Sequence, residues 1–354
     1  MKVLVIGRFY EEGVASFVAD ELEALGHRAL RHDPGPKLAA FGSRAAFYVN
    51  RVRQQVAAGL KAARAVLGVG KDNPALRALI RTSGGIDLVI STHDYLTPAE
   101  AQMVKAETKA PLALWFPDPV WSFRRHMFLN APYDFLFFKD PYIVDLLRRN
   151  LGAHAFYLPE CFSPRSLAEP VGASDPGYQA DICTAGNLYA YRVAFFRNLA
   201  GRDVKIWGLP APLWMDLGEV KPMVQNRFVA HGEKVRAFRG AKIVLNNLNP
   251  SEIWGTNVRT FEICGAGGFQ IVDSRPGLSQ LFEIGKELVT FGSAEDLKVK
   301  IDHYLAAPEE RGAIAKAGRA RAWAEHTYAH RLQLLLDTVG GRQQGFPAPR
   351  VEWA

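Results

Sequence analysis

Trp254–Asp273 reads WGTNVRTFEICGAGGFQIVD, and its first half has the pattern of a helix start. Gly255 permits a close approach, Thr256 or Asn257 can cap, and Val258, Phe261 and Gly265 fall on one helical stripe. The free amides and positive dipole end of such a helix suit a diphosphate. Arg259 lies in the first turn, with Glu262 three residues on and on nearly the same face. A carboxylate there can accept both hydroxyls of a ribose while phosphates rest at the helix start. Gly265, Gly267 and Gly268 then end the helix and feed the apolar strand Phe269–Val272. An ordinary helix–turn–strand unit with a capping Thr and a surface ion pair fits the same residues.

Around this stretch, apolar strands alternate with helical patterns, which predicts an α/β fold with parallel sheets. Expected strands in the first half are Val3–Gly7, Asp87–Ser91, Leu112–Phe116, Phe135–Phe138 and Ala155–Leu158. Helices are expected near Ala15–Gly26, Arg44–Gly68 and Pro141–Asn150. In the second half the strands are Ala180–Thr184, Val204–Trp207, Ile243–Leu245, Phe269–Val272 and Leu288–Phe291. Helices there centre on Tyr191–Leu199, Glu233–Gly240, Thr256–Gly265, Ala294–Ala306 and Pro308–Asp337. A chain of 354 residues exceeds the size at which one core usually keeps growing, so two domains are expected. Ser163–Gly177, rich in Pro, Ser, Gly and Ala, is the linker candidate; the domains read as 1–168 and 169–340, with 341–354 as a tail.

No apolar run is long enough to span a membrane, and MKVLVIGRFY reads as a buried first strand instead of a signal peptide. Cys161, Cys183 and Cys264 are odd in number and widely spaced, as for reduced core thiols in the cytoplasm. There is no His–x3–His pair, no Asp–x–Asp motif and no Cys cluster, so no metal ligand is expected. The first βα turn, GRFYEEG, lacks the G-x-G-x-x-G spacing of a dinucleotide-dependent dehydrogenase.

Charge is unevenly spread. Arg44, Arg51, Arg53, Lys61, Arg64, Lys71, Arg77 and Arg81 face Asp72 alone, so this segment carries a charge equal to the chain's formal +7. Phe47, Val49, Val52, Val56 and Leu60 are interspersed at helical spacing. Such a segment suits an anionic membrane face or an acidic acceptor, or is a solvated helix face packed on the sheet. It lacks the aromatic platforms of a nucleic-acid site.

Polar residues cluster at the predicted strand ends, where open α/β sheets bind ligands. His93 and Asp94 follow IDLVIST. His93 can bond a substrate hydroxyl or take its proton with Asp94 orienting it, or the pair is a surface turn. Asp118, between two prolines in WFPDPVW, is a rigid carboxylate suited to a general base, or a simple turn former. Asp140 reads as the N-cap of the helix starting at Pro141, and Glu160 after FYLP as a further edge residue. In TAGNLYAYR, Gly186 and Asn187 form a strand-to-helix turn with Arg192 about one turn in. Trp207 and Gly208 end one strand, and Asn246 and Asn247 another. His326, Tyr328, His330 and Arg331 read as structural.

The run Asn257, Arg259, Phe261, Glu262, Gly267, Gly268 and Asp273 resembles the nucleotide-sugar site of GT-B glycosyltransferases of the CgeB-like (spore-maturation-protein-B) group. The similarity extends through GLSQLFEIGKELVTFGSAEDL, LAAPEERGAIAKAGRARAWAEHTYAHR, AKIVLNNLN and DICTAGNLYAYR, covering most of 178–335. It is weaker in the first half, where WFPDPVW and YDFLFFKD match best. The resemblance implies two Rossmann-like domains facing across a cleft, with the last helical segment packing back on the first. It implies metal-independent transfer of a sugar from a nucleotide diphosphate sugar to a glycan, protein or lipid-linked acceptor, without a cofactor. The donor would be held by Gly186, Asn187, Arg192, Gly208, Asn247, Gly255, Thr256, Asn257, Arg259 and Glu262, with Arg192 or Arg259 neutralising the leaving diphosphate. The acceptor would lie near His93, Asp94 and Asp118. One departure stands out: many retaining GT-B enzymes carry a glutamate eight positions before the second, and here that position is Trp254, with Glu252 out of register. A non-catalytic nucleotide-sugar binder, or an epimerase or hydrolase on this scaffold, therefore remains an alternative.

Overall fold

The computed structural model describes residues 1–35, 73–119, 126–167 and 175–349, with scattered positions between 49 and 60. Among these residues the chain forms two parallel sheets, each in its own compact unit. One unit comprises Met1–Phe138, Val144–Phe156 and Leu332–Gly345; the other comprises Lys139–Ile143, Tyr157–Arg331 and the chain from Phe346 on.

The first unit holds β1 (Lys2–Ile6), β2 (Arg28–His32), β3 (Leu88–Thr92), β4 (Leu112–Phe116), β5 (Phe135–Phe138) and β6 (Ala155–Tyr157), in the order β2-β1-β3-β4-β5-β6. β3 and β4 are buried at every position, as strands of a parallel sheet covered on both faces must be. Helices α1 (Val14–Ala24), α2 (Pro74–Thr82), α3 (Pro98–Thr108) and α4 (Pro141–Leu151) connect them. Thr97 and Glu100 form a reciprocal capping box on α3, and Asn73 caps α2. The expected helix Arg44–Gly68 falls mostly outside the described residues; of its apolar positions Val49, Val52, Val56 and Leu60 are exposed.

The second unit holds β7 (Ala180–Ala185), β8 (Val204–Trp207), β9 (Ala241–Asn246), β10 (Gln270–Asp273) and β11 (Val289–Phe291), in the order β11-β10-β9-β7-β8. The pairs β7–β8, β7–β9, β9–β10 and β10–β11 are parallel. Around it run α5 (Ala190–Arg197), α6 (His231–Gly240), α7 (Val258–Ala266), α8 (Ala294–Ala306) and α9 (Pro308–Glu325). The linker candidate is partly packed: Pro164–Leu167 is a 3-10 turn with Ser166 and Leu167 buried, and 168–174 falls outside the described residues.

Pro308–Asp337 is not one helix. It breaks after α9, and α10 (Tyr328–Val339) starts anew. Phe162 causes the break, because its amide takes the His326 carbonyl (3.1 Å) and its carbonyl the Tyr328 amide (3.2 Å). The buried His326 accepts at Nδ1 from Arg331 (2.7 Å) while Nε2 lies 2.8 Å from the Leu281 carbonyl, so the ring is neutral. Burial and the neighbouring Arg331 push its pKa down to about 3.

An unfolded His titrates near ~6.5, so below that pH the unfolded chain binds a proton that the native chain refuses. Stability should therefore fall as pH drops from about 6.5 toward 3, by up to ~1.4 kcal/mol per pH unit from this group. Urea unfolding at pH 7 and pH 5 should show a steeper loss for the wild type than for His326→Gln; equal losses would contradict this role.

Candidate functional site

In the second unit the residues of interest gather at the carboxyl ends of β7, β8, β9 and β10. Gly186 follows β7 with φ 139°, a conformation open to glycine, and its amide bonds the Trp207 carbonyl (2.8 Å). A Cβ on Gly186 would stand 2.6 Å from Arg192 Nη1 and 3.9 Å from Arg259 Nη2. Two guanidinium groups thus converge on one bare stretch of backbone. A Cβ on Gly208 would meet the Gly186 carbonyl at 2.4 Å, so Gly208 serves the close approach of these two loops.

Arg192, on the first turn of α5, is only 7 % exposed. Its Nη2 bonds Thr184 Oγ1, its Nη1 lies 3.4 Å from the Asn187 carbonyl, and its Nε has no hydrogen-bond partner among the described residues. Among the described residues no carboxylate bonds to it. Burial lowers its pKa to about 10, and Arg259 acts in the same direction, yet it stays charged at neutral pH. A buried cation without a counterion is costly, and an anionic ligand is the natural relief.

Arg259 Nη1 holds Glu262 Oε2 at 2.5 Å, and Lys234 Nζ from α6 holds Glu262 Oε1 at 2.7 Å. Burial alone would raise the Glu262 carboxyl, but Arg259 and Lys234 hold it below the usual carboxylate range. Both oxygens already accept one cation each, and each keeps a second lone pair for a ligand hydroxyl. Lys234 was not among the sequence candidates, since nothing in HGEKVRAF marks it beyond a helical lysine.

The helix start is built as a closed polar network. Asn257 caps α7 through the Thr260 amide and exchanges two side-chain bonds with Asn246, at 3.0 and 3.1 Å. Thr256 bonds Thr260 through their hydroxyls. The amides of Ile253, Trp254 and Gly255 all point at Asp140 Oδ2, at 2.9, 3.0 and 3.1 Å, so they do not face a ligand. Those three amides are therefore filled from within the protein, whereas Arg192 and Arg259 converge on Gly186. Glu252 is buried against Lys139 (2.7 Å), which also bonds Glu160 (3.1 Å). Asn247, 4 % exposed at the end of β9, has no partner for either amide atom among the described residues, and neither has Trp207 Nε1.

In the first unit His93 follows β3 with φ 70°, held by Ser91 Oγ on its carbonyl (3.0 Å) and by its amide on Trp115 O (2.9 Å). Its ring lies between Tyr95 (5.4 Å) and Phe116 (5.7 Å), with Nε2 3.4 Å from Asp118 Oδ2. Asp118 is about half exposed, whereas His93 Nδ1 is buried. Burial, joined by the Asp118 charge, raises the phenols of Tyr10 and Tyr95, which places both near this carboxylate. Asp94 lies close enough to raise the buried Tyr133 phenol. No cluster of three metal-ligating side chains exists among the described residues.

Residues 192–337 match a family model described as glycosyl transferase-like. No curated protein sequence matches the chain. Among solved structures, it is similar to sucrose-phosphate synthase from Thermosynechococcus elongatus, at 13% identity and TM-score 0.63, over 97% of this chain and 100% of that one. It is also similar to Anabaena HepE in complex with UDP and glucose, at 13% identity and TM-score 0.64, over 96% and 100%. A third similar structure is the trehalose 6-phosphate synthase of Burkholderia multivorans, at 15% identity and TM-score 0.62, over 96% of each chain. These likenesses establish the fold as GT-B.

Replacing Arg192 by Met should leave apo stability unchanged or raise it, because the buried charge is removed for an apolar chain of similar length. The same change should weaken UDP binding by about tenfold or more. Calorimetric titration with UDP, alongside thermal melts, checks both; a destabilised variant with undiminished affinity would contradict the assignment.

Proposed function

We propose that the protein is a glycosyltransferase that moves a sugar from a nucleotide diphosphate sugar to an acceptor. The buried Arg192 carries the reading: among the described residues it bonds to no carboxylate, and it converges with Arg259 on Gly186. The glycosyl transferase-like match starts at this residue, and the similar HepE has been solved with UDP and with UDP-glucose. Kinship with the CgeB-like group is the finer proposal, supported by Asn257, Arg259, Phe261, Glu262 and Asp273.

In this reading the second unit holds the donor. Arg192 and Arg259 receive the diphosphate, and their charge stabilises it as a leaving group without a metal ion. Glu262, kept ionised by Lys234 and Arg259, accepts ribose hydroxyls. Asn247 offers its amide to the donor. The acceptor belongs to the first unit, where Asp118 takes the proton of the attacking hydroxyl and His93 Nε2–H orients its carboxylate. Asp94, beside Tyr133, supports the turn that carries His93. A work place in the cytoplasm, with Arg44–Arg81 touching an anionic membrane face, completes the proposal; no helix among the described residues is long and apolar enough to cross a membrane.

A second reading, a nucleotide-sugar binder without turnover, is favoured by one observation. The nearest candidate for a first donor-side glutamate, Glu252, is buried in an ion pair with Lys139. Moving label from donor to acceptor separates the two.

Asp118→Asn should lower kcat by about 100-fold or more and leave UDP affinity unchanged, as expected for loss of a general base. Activity should persist in excess EDTA. Normal turnover of the variant would remove Asp118 from the chemistry, and loss of wild-type turnover on chelation, restored by magnesium or manganese, would remove the metal-free mechanism.

A further inference from the structure

The turn leading into α7 is held by two adjacent residues that lie 113 positions before Glu252 and Ile253 and belong to the same compact unit. Asp140 Oδ2 gathers the amides of Ile253, Trp254 and Gly255 at 2.9–3.1 Å, and Oδ1 takes the Tyr142 amide at 3.0 Å. Lys139 Nζ binds Glu252 at 2.7 Å, at the head of the same turn. Three successive N–H groups converging on one point form an anion nest, and here the anion is a side chain of the protein itself. Gly255 makes the contact possible: a Cβ there would stand 2.6 Å from the Lys139 carbonyl oxygen and 3.1 Å from Asp140 Cα. From the other side, Gly277 N bonds the Trp254 carbonyl (2.9 Å) and Arg275 Nε the Glu252 carbonyl (2.8 Å).

We infer that Asp140 is a positioning residue of the donor site. Its carboxylate fixes the direction in which the chain enters α7, and so aims Arg259 and Glu262, one and two turns further on, at the nucleotide. The inference rests on reading this unit as the donor site. A full negative charge is required, because three amides sharing one oxygen, that of Gly255 buried and the other two partly so, are satisfied best by an anion, and without it they are left partly unpaired. Asp140 itself faces backbone and does not reach the substrate.

Two independent changes test it. Asp140→Asn keeps the shape and one acceptor oxygen but removes the charge. Gly255→Ala leaves Asp140 intact and drives the turn off Lys139. The wild type is first titrated with UDP; absence of binding would refute the donor reading itself and the inference with it. Given wild-type binding, each variant should weaken UDP affinity by about tenfold, the size of effect that small misplacements of binding groups produce. In turnover assays the donor KM should rise in the same proportion while the acceptor KM stays within about twofold. A residue with only a structural role would lower the melting temperature and leave the donor KM where it was. If both variants fold, with wild-type circular dichroism, and bind UDP within twofold of the wild type, Asp140 does not position the donor. Should Asp140→Asn fail to fold, Gly255→Ala alone decides by the same measure.

Discussion

A buried guanidinium, to which no carboxylate among the described residues bonds, organises the second unit. Arg192 can be kept where it is only by a well-packed shell, supplied by Thr184, the Asn187 carbonyl and the ring of Phe196, 5.8 Å from its Cζ. Gly186 must lack a side chain for the guanidinium to reach the loop, and Gly208 must lack one for the next loop to close against Gly186. The nearby Glu262 is ion-paired to Lys234 and Arg259, so it does not quench Arg192. Two cations pair with that one carboxylate, and Arg192 stands outside the pair.

The charges at the start of α7 are partitioned with the same economy. A helix start and its preceding turn offer amides for an anion, yet those of residues 253–255 are filled by Asp140. An internal anion there holds the turn in place. The polar network Asn246–Asn257–Thr260–Gln270 extends this hold across β9, α7 and β10. In the first unit His93 is likewise held in a left-handed conformation by Ser91 and two aromatic rings. Both units keep their chemistry at strand ends on backbone that has little freedom to shift.

What the sequence revealed follows from which signals are local. Leu112–Phe116 and Phe135–Phe138 are read to the residue, because strands of a covered parallel sheet are continuous apolar runs, and Val204–Trp207 is too although Lys205 interrupts it. β2 escapes, since Arg28 and Arg31 break up its apolar pattern. α2 and α3 are missed as well, although Asn73-Pro74 and Thr97-Pro98 with Glu100 are cap signals that could have found them. The break before α10 depends on Phe162, far away in sequence, and no local signal shows it. The same holds at the site. Strand-end residues such as Gly186, Asn247 and His93 are legible from their place in the pattern. Lys234 beside Glu262, and Asp140 beneath Gly255, become visible only when distant segments are brought together.

The central claim is that a nucleoside diphosphate binds through Arg192 and Arg259 beside Gly186, and not at the 253–255 turn. A crystal structure of the wild type with UDP tests it most directly. The account predicts the β-phosphate within hydrogen-bond distance of both guanidinium groups, with the Asp140 contacts to residues 253–255 intact. A phosphate seated on the 253–255 amides with Asp140 displaced, or UDP bound away from Arg192, would contradict it.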